Sequence, residues 1–298
     1  MKILLLGANG QVGWALKQRL SKLGELKSCT RSDLDLNEFE DIRSVVSAFK
    51  PNVIVNAAAY TAVDKAESEP VQARRINADA VGVLAQEAKH IDAWLLHYST
   101  DYVFDGTKAG AYSETDLPNP LSVYGKTKLE GEELIRRSGC KHIIFRTSWV
   151  VGSHGKNFVK TILRLAQEKE SIKVVNDQSG APTSAALIAE VTREVIENLS
   201  SEMWPVGIYH LAPHGEVSWH GLASFIVASV DELGVRLKLN QRHINAICTD
   251  EYPAEAKRPS NSRLETSKLE SLLSFNLPHW KIGMTDMLRD ITREQLVS

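Results

Sequence analysis

The chain has 298 residues, 43% of them hydrophobic, and a formal net charge of -2. That length builds one large domain or two modest ones, and a near-neutral chain without a basic stripe is not built for nucleic acid or an anionic membrane. The apolar runs are strand-sized, far short of a bilayer span, and Cys29, Cys140 and Cys248 are too few and too scattered for a disulfide framework or a thiolate zinc site.

Residues 2–6 read as a buried strand. The run reaches Gly7 too soon for a signal peptide, so a cytoplasmic location is expected. Gly7-Ala8-Asn9-Gly10-Gln11-Val12-Gly13 follows, and residues 12–23 have helical periodicity. Glycines at i, i+3 and i+6 between a strand and a helix permit a tight turn. They also let backbone approach a pyrophosphate held at the helix N-terminus. A second strand is expected over 26–29. Arg31 follows it, where an NAD-specific site usually places an acid. A guanidinium there suits a 2′-phosphate and favours NADPH; Asp33 and Asp35 lie close enough to keep NADH acceptable.

Residues 38–49 are helical and stop before Pro51, and 53–58 form the next apolar strand. It runs into Asn56-Ala57-Ala58-Ala59, small residues that let backbone lie near a nicotinamide ribose. Residues 70–89 read as one long helix and 94–99 as a strand ending at Thr100. The next helix, 123–137, carries Tyr124 and Lys128, whose spacing puts both on one face. A phenol is a poor acid-base group at neutral pH, and a nearby ammonium is expected to pull its pKa toward the working range. The Thr100 hydroxyl can hydrogen-bond a substrate carbonyl. The three groups suit protonation of a ketone oxygen while a hydride reaches its carbon.

A strand over 142–146 completes a β-α alternation. Beyond about residue 150 the pattern loosens into helices at 157–170, 184–199 and 218–233 between Pro- and Gly-marked loops. The expected architecture is α/β: a Rossmann-type, doubly wound parallel sheet in residues 1–170, to which segments such as 184–199 return, and a smaller substrate-binding lobe mainly in 171–298. Ligands of such sheets sit beyond the carboxyl ends of the strands. The nine histidines lack metal-ligand spacing and read as surface or packed imidazoles.

The glycine-rich turn, the strand ending Tyr98-Ser99-Thr100 and the Tyr-x-x-x-Lys pair together resemble the extended short-chain dehydrogenase/reductase family, over nearly the full length. Five blocks narrow the resemblance: Asn56-Ala57-Ala58-Ala59-Tyr60-Thr61 running on to Glu67, Ser99 to Gly106, Phe145 to Val150, Asn176 to Thr183, and Arg258 to Ser262. In this order they are similar to the signature of the dTDP-4-dehydrorhamnose reductases.

That resemblance implies reduction of the 4-keto group of dTDP-4-dehydro-β-L-rhamnose, the last step toward dTDP-β-L-rhamnose, with NADPH or NADH. Tyr124 would protonate the alkoxide, Lys128 would hold the nicotinamide ribose and lower the phenol's pKa, and Thr100 would bond the carbonyl oxygen. Gly7, Gly10, Gln11 and Val12 would cradle the pyrophosphate, with Asp35 and Leu36 flanking the adenine. Ala57, Ala58, Ala59, Tyr60 and Thr61 would line the cofactor's middle. Thr100, Asp101 and Trp149 would face the sugar, and Gln178, Pro182, Thr183, Arg258 and Asn261 would belong to loops clamping the nucleotide diphosphate. Where some family members hold a divalent ion with acids, this chain has Ala15 and Ala186, so no metal is expected. The expected partner is the sugar nucleotide alone, bound by a monomer or a homodimer.

Three other readings share parts of this pattern. A dehydratase would need a second acid after Asp101, where Tyr102 stands. An epimerase would recycle its cofactor without net reduction. A regulatory subunit would bind the dinucleotide without turnover, and the complete Thr100–Tyr124–Lys128 set weighs against it.

Overall fold

The computed structural model describes residues 1–199 and 204–297. Six parallel strands form the central sheet: β1 (Lys2–Leu6), β2 (Glu25–Cys29), β3 (Val53–Asn56), β4 (Trp94–Thr100), β5 (Lys141–Thr147) and β6 (Gly207–His210), in the order β2-β1-β3-β4-β5-β6. The chain winds to one side of β1 and then, from β3, to the other. The crevice where a ligand belongs therefore opens beyond the carboxyl ends of β1 and β3.

The central strands β1 and β3 are apolar nearly throughout because both faces are covered, while the edge strand β2 is partly exposed. Successive residues alternate between two cores. Ile3, Leu5, Val55, Leu96 and Phe145 pack under the Gln11–Leu20 and Ala185–Asn198 helices. Leu4, Leu6, Ile54, Leu95 and Ile144 pack under the Phe39–Phe49, Ala80–His90 and Val123–Ser138 helices. The expected helix over 70–89 is continuous but contains a π turn at Arg75–Asp79. Ser122 caps the Val123–Ser138 helix by accepting from the Gly125 amide at 3.2 Å, and Gly139, at φ 67°, ends it.

A third core forms the lobe. The Phe158–Glu168, Trp219–Glu232 and Trp280–Val297 helices surround it, beside a parallel pair of strands, Ile172–Val175 and Ile244–Ile247. The helix ending at Glu168 packs with the lobe, while Ala185–Asn198 and β6 return to the sheet. The sequence pattern missed β6, the lobe strands and the helices Val63–Ser68 and Trp280–Val297. Among the described residues no helix is long and apolar enough to cross a membrane.

Candidate active site

A cleft of about 750 Å³ opens at the carboxyl ends of the strands. Gly7 leaves β1 with φ 76°, and a Cβ there would lie 2.7 Å from the Ala58 nitrogen. A Cβ on Gly13 would lie 2.0 Å from the Gly7 carbonyl oxygen. These two positions require glycine for the turn to pack under its helix. The Gln11–Leu20 helix starts at Gly10 with no side-chain cap and no acid in its first turn, leaving its positive end open to an anion. Gln11 and Val12 line the cleft there, and the Gln11 side-chain oxygen accepts from Asn157 at 2.9 Å.

Arg31 stands at the rim with its side chain 74% exposed, 3.2 Å from the Asp35 carboxylate. The Asn37 backbone amide, and then Arg31, hold the Asp35 carboxyl below its ordinary range. Leu36, buried, supplies apolar wall. The cradle that a Cβ would fill, the uncapped helix end and the rim guanidinium fit a dinucleotide phosphate.

Ala57, Ala58, Ala59, Tyr60 and Thr61 form the middle of the cleft. Asn77, fully buried in the π turn, pins this segment: it accepts from the Tyr60 amide at 2.9 Å and donates to the Tyr60 carbonyl at 3.1 Å and to Thr127 Oγ1 at 3.2 Å. An extra residue in a helical turn marks many functional sites; here it aims an amide at the cleft backbone. The Tyr60 hydroxyl is engaged by Glu69 at 2.7 Å.

At the inner end Thr100, Asp101, Tyr124 and Lys128 meet. The Tyr124 and Thr100 side chains face each other there. Thr100 Oγ1 donates to Asp101 Oδ1 at 3.1 Å and accepts from the Tyr102 amide at 3.2 Å. Burial pushes the Tyr124 phenol up to about 12; the nearby Thr100 hydroxyl opposes that rise and the Asp101 charge adds to it. Burial likewise raises the Asp101 carboxyl to about 6, against hydrogen bonds from Ser262 and Thr100, and its Oδ2 has no hydrogen-bond partner.

Lys128 Nζ donates to the Tyr98 carbonyl at 2.7 Å and lies 3.0 Å from His97 Nε2. Burial lowers its pKa to about 8, with Glu132 opposing. The expected effect of Lys128 on Tyr124 is thereby corrected: helical spacing gives a shared face, but the ammonium bonds the strand behind it and the phenol's pKa rises. A neutral phenol carries the proton that a general acid must give.

Trp149 lines the cleft as well. Its φ of 48° is a left-handed conformation unusual for so large a residue. Its indole stacks on Trp219, and a Cβ on Gly180 would lie 2.7 Å from Trp149 Cε2. The five expected clamp residues are not among those lining the cleft. Gln178 braces it from behind, accepting from Trp219 Nε1 at 3.1 Å and donating to Thr249 at 3.0 Å. Pro182 and Thr183 are buried beside it. Asn261 donates to the carbonyls of Lys108 and Gly110, at 2.7 and 2.8 Å, and so holds that loop. Arg258 is ion-paired with Asp64 at 2.7 Å and bonds the Ala256 carbonyl at 3.4 Å. Reasoning from sequence missed His97, Asn77, Lys156 and Trp219. Only Trp219, a large aromatic following the Ser218 cap signal, carried a readable cue.

Comparison with known proteins agrees with this geometry. The model of the family described as the RmlD substrate binding domain matches residues 1–293. The dTDP-4-dehydrorhamnose reductase of Shigella flexneri is 44% identical over 98% of each chain. The crystal structure of a dTDP-4-dehydrorhamnose reductase from Clostridium acetobutylicum superposes with a TM-score of 0.90 at 35% identity, covering 98% of this chain and 100% of that one. That of the Bacillus anthracis enzyme in complex with NADP gives 0.87 at 33%, covering 98% and 99%. With residues 1–293 matched by the family model and a relative 44% identical over 98% of each chain, the chain belongs to the RmlD substrate binding domain family.

Proposed function

We propose that the chain is a dTDP-4-dehydrorhamnose reductase that converts dTDP-4-dehydro-β-L-rhamnose to dTDP-β-L-rhamnose with NADPH. The observation that carries this reading is the meeting of Thr100, Tyr124 and Lys128 at the inner end of a cleft that begins at an uncapped helix. NADPH, when bound, supplies the hydride. Gly7, Gly10, Gln11 and Val12 hold its pyrophosphate at the helix end, and Arg31, paired to Asp35, meets the 2′-phosphate. Leu36 packs near the adenine, and Ala57 to Thr61 line the path to the nicotinamide.

The protein's own chemistry is orientation and one proton. Thr100 and Tyr124 place two hydroxyls on the ketone oxygen, and Tyr124 gives its proton as negative charge develops there. Such general acid help contributes about 10²–10⁴-fold, and holding the partners in register supplies much of the remainder. Lys128 fixes the nicotinamide ribose. Asp101, with a carboxyl oxygen still free to bond, and the Trp149–Trp219 wall orient the sugar; Gln178, Pro182, Thr183, Arg258 and Asn261 shape the loops around the nucleotide end.

The proposed division assigns cofactor binding to residues 1–170, with 184–199 returning to it. Residues 171–298 mainly take the sugar nucleotide, residue 298 lying outside the described residues. The lobe's packing supports counting the Phe158–Glu168 helix with it. Every proposed catalytic group comes from one chain, so a monomer or a homodimer serves equally. The cytoplasm, where nucleotide sugars and reduced nicotinamide coexist, is the proposed location.

Supplying the keto sugar from its upstream enzymes should consume one NADPH per sugar reduced, and NADH less efficiently. Turnover without net loss of nicotinamide absorbance would reject reduction in favour of epimerisation or dehydration. Dinucleotide binding with no turnover would point to the regulatory reading.

A further inference from the structure

His97, in the middle of β4, is fully buried, and the proposed mechanism does not use it. Its Nδ1 lies 3.2 Å from Asn56 Nδ2 and its Nε2 lies 3.0 Å from Lys128 Nζ. The protons along this chain are fixed from one end. The Ala58 backbone N–H can only donate, and it donates to Asn56 Oδ1 at 3.2 Å. Asn56 therefore offers Nδ2, also a donor, to the imidazole, so Nδ1 is the bare, accepting nitrogen. Burial, and then the Lys128 charge, hold the ring's pKa well below its ordinary value, so it is neutral. Its one hydrogen sits on Nε2 and faces Lys128.

Two donors cannot share that contact. The network is satisfied when Lys128 is an amine that accepts from Nε2–H and donates to the Tyr98 carbonyl at 2.7 Å. When Lys128 carries a third proton, Nε2 must be bare and the ring hydrogen must sit on Nδ1. Asn56 must then turn its oxygen to the ring, away from the Ala58 amide.

We propose that His97 is a positioning residue whose tautomer is locked to the proton on Lys128, and that Asn56 extends this lock to the Ala58 amide in the wall of the cofactor cleft. One proton is taken up between the two arrangements: the Nε2 hydrogen passes to Nζ, the incoming proton ends on Nδ1, and no other covalent bond changes. The titratable groups around the pair are few. Tyr124 lies one turn before Lys128 on the same helix and faces Thr100. Glu132 lies one turn after it, ion-paired with Arg146 from β5 and bonded by Ser99 from β4. The Tyr98 phenol bonds Thr192 in the opposite core. From β3 the uncharged Asn56 approaches.

The inference rests on the proposed function only in taking Lys128 as the ribose-side lysine. Its test measures no turnover, so the two can fail separately. Long-range ¹H–¹⁵N spectra of histidine-labelled full-length protein report the tautomer of His97, and ¹³Cε-labelled lysine reports the charge of Lys128. As pH falls through the Lys128 midpoint, the ring should pass from Nε2–H to Nδ1–H at the same midpoint, without becoming imidazolium. One tautomer on both sides of that midpoint, or an imidazolium, overturns the proposal. His97→Gln, which breaks the tautomer lock, should move the Lys128 midpoint by about one pH unit or more; an unmoved midpoint in the folded variant also overturns it. If that variant does not fold, the wild-type spectra decide alone.

Discussion

The Trp149 indole lies flat on the Trp219 indole, with ring centroids 3.6 Å apart and planes 12° from parallel. Trp149 follows β5 of the sheet, and Trp219 opens a helix of the lobe. The pair forms the wall where the two halves of the molecule face the cleft. A stacked pair contributes about 0.5–1.5 kcal/mol beyond its buried area. Trp219→Ala should therefore raise KM for the sugar nucleotide roughly 2- to 12-fold, while NADPH affinity, measured by fluorescence titration, stays at the wild-type value. A variant that weakens NADPH equally would show the wall to be part of the cofactor site.

Tyr124→Phe removes the transferable proton and leaves the ring packed edge-on against Tyr102. kcat should fall by about 10²–10⁴-fold, with NADPH binding unchanged. Because the phenol is held at about 12, the wild-type rate should show no inflection from this group between about pH 6 and 9. A residual rate near wild type would remove Tyr124 from the mechanism.

Asp101 should make the protein less stable as pH rises. Its folded pKa of about 6 lies above the ordinary 3.8. The folded state therefore favours the protonated form, and that preference stabilises it below about pH 4 and is lost as pH climbs through 6. A displacement of that size is worth about 3 kcal/mol. Asp101→Asn does not titrate, so its melting temperature relative to wild type should rise between about pH 4 and 7 and then level off. A constant difference across that range would mean the carboxyl is not held protonated.

Glu132 and Arg146 are buried to 1% and 2% exposure and joined by two hydrogen bonds, Nε to Oε1 at 3.0 Å and Nη2 to Oε2 at 2.7 Å. Glu132→Ala strands a buried guanidinium and should cost about 3–5 kcal/mol in urea unfolding. Replacing both partners with apolar residues of similar volume should recover much of that loss. A single-variant cost below about 1 kcal/mol, typical of exposed pairs, would place water at the ion pair.

Arg31 tests cofactor choice. Its exposed side chain contributes little to the fold, so Arg31→Ala should leave the melting temperature unchanged. Losing charged hydrogen bonds to a 2′-phosphate should raise KM for NADPH by about 10- to 100-fold and leave KM for NADH in place. Equal effects on both cofactors would move the phosphate contact elsewhere.

The sheet was legible in the sequence where strands are buried on both faces, because an unbroken apolar run needs no partner to be recognised. β6 was not, since Gly207-Ile208-Tyr209-His210 acquires its meaning only by pairing with Ile143 to Arg146, some sixty residues earlier. The glycine turn and the helical spacing of Tyr124 and Lys128 are local patterns and could be read directly. The contacts of Lys128 could not: they run to His97 and Tyr98 on a strand thirty residues away. Arg258 suffered likewise, because its acid is Asp64, 194 positions distant. A buried imidazole in an apolar strand offers no periodic signal, and His97 passed as ordinary packing.

The late return of β6 bears on how the gene can be cut. Residues 1–170 expressed alone would leave β5 as a naked border with open amides and carbonyls, and would strip the Ala185–Asn198 helix from the apolar flank of Gln11–Leu20. Such borders recruit other chains, so that fragment should precipitate instead of binding dinucleotide. Domain-shuffling experiments must therefore carry residues 185–210 along with the N-terminal half.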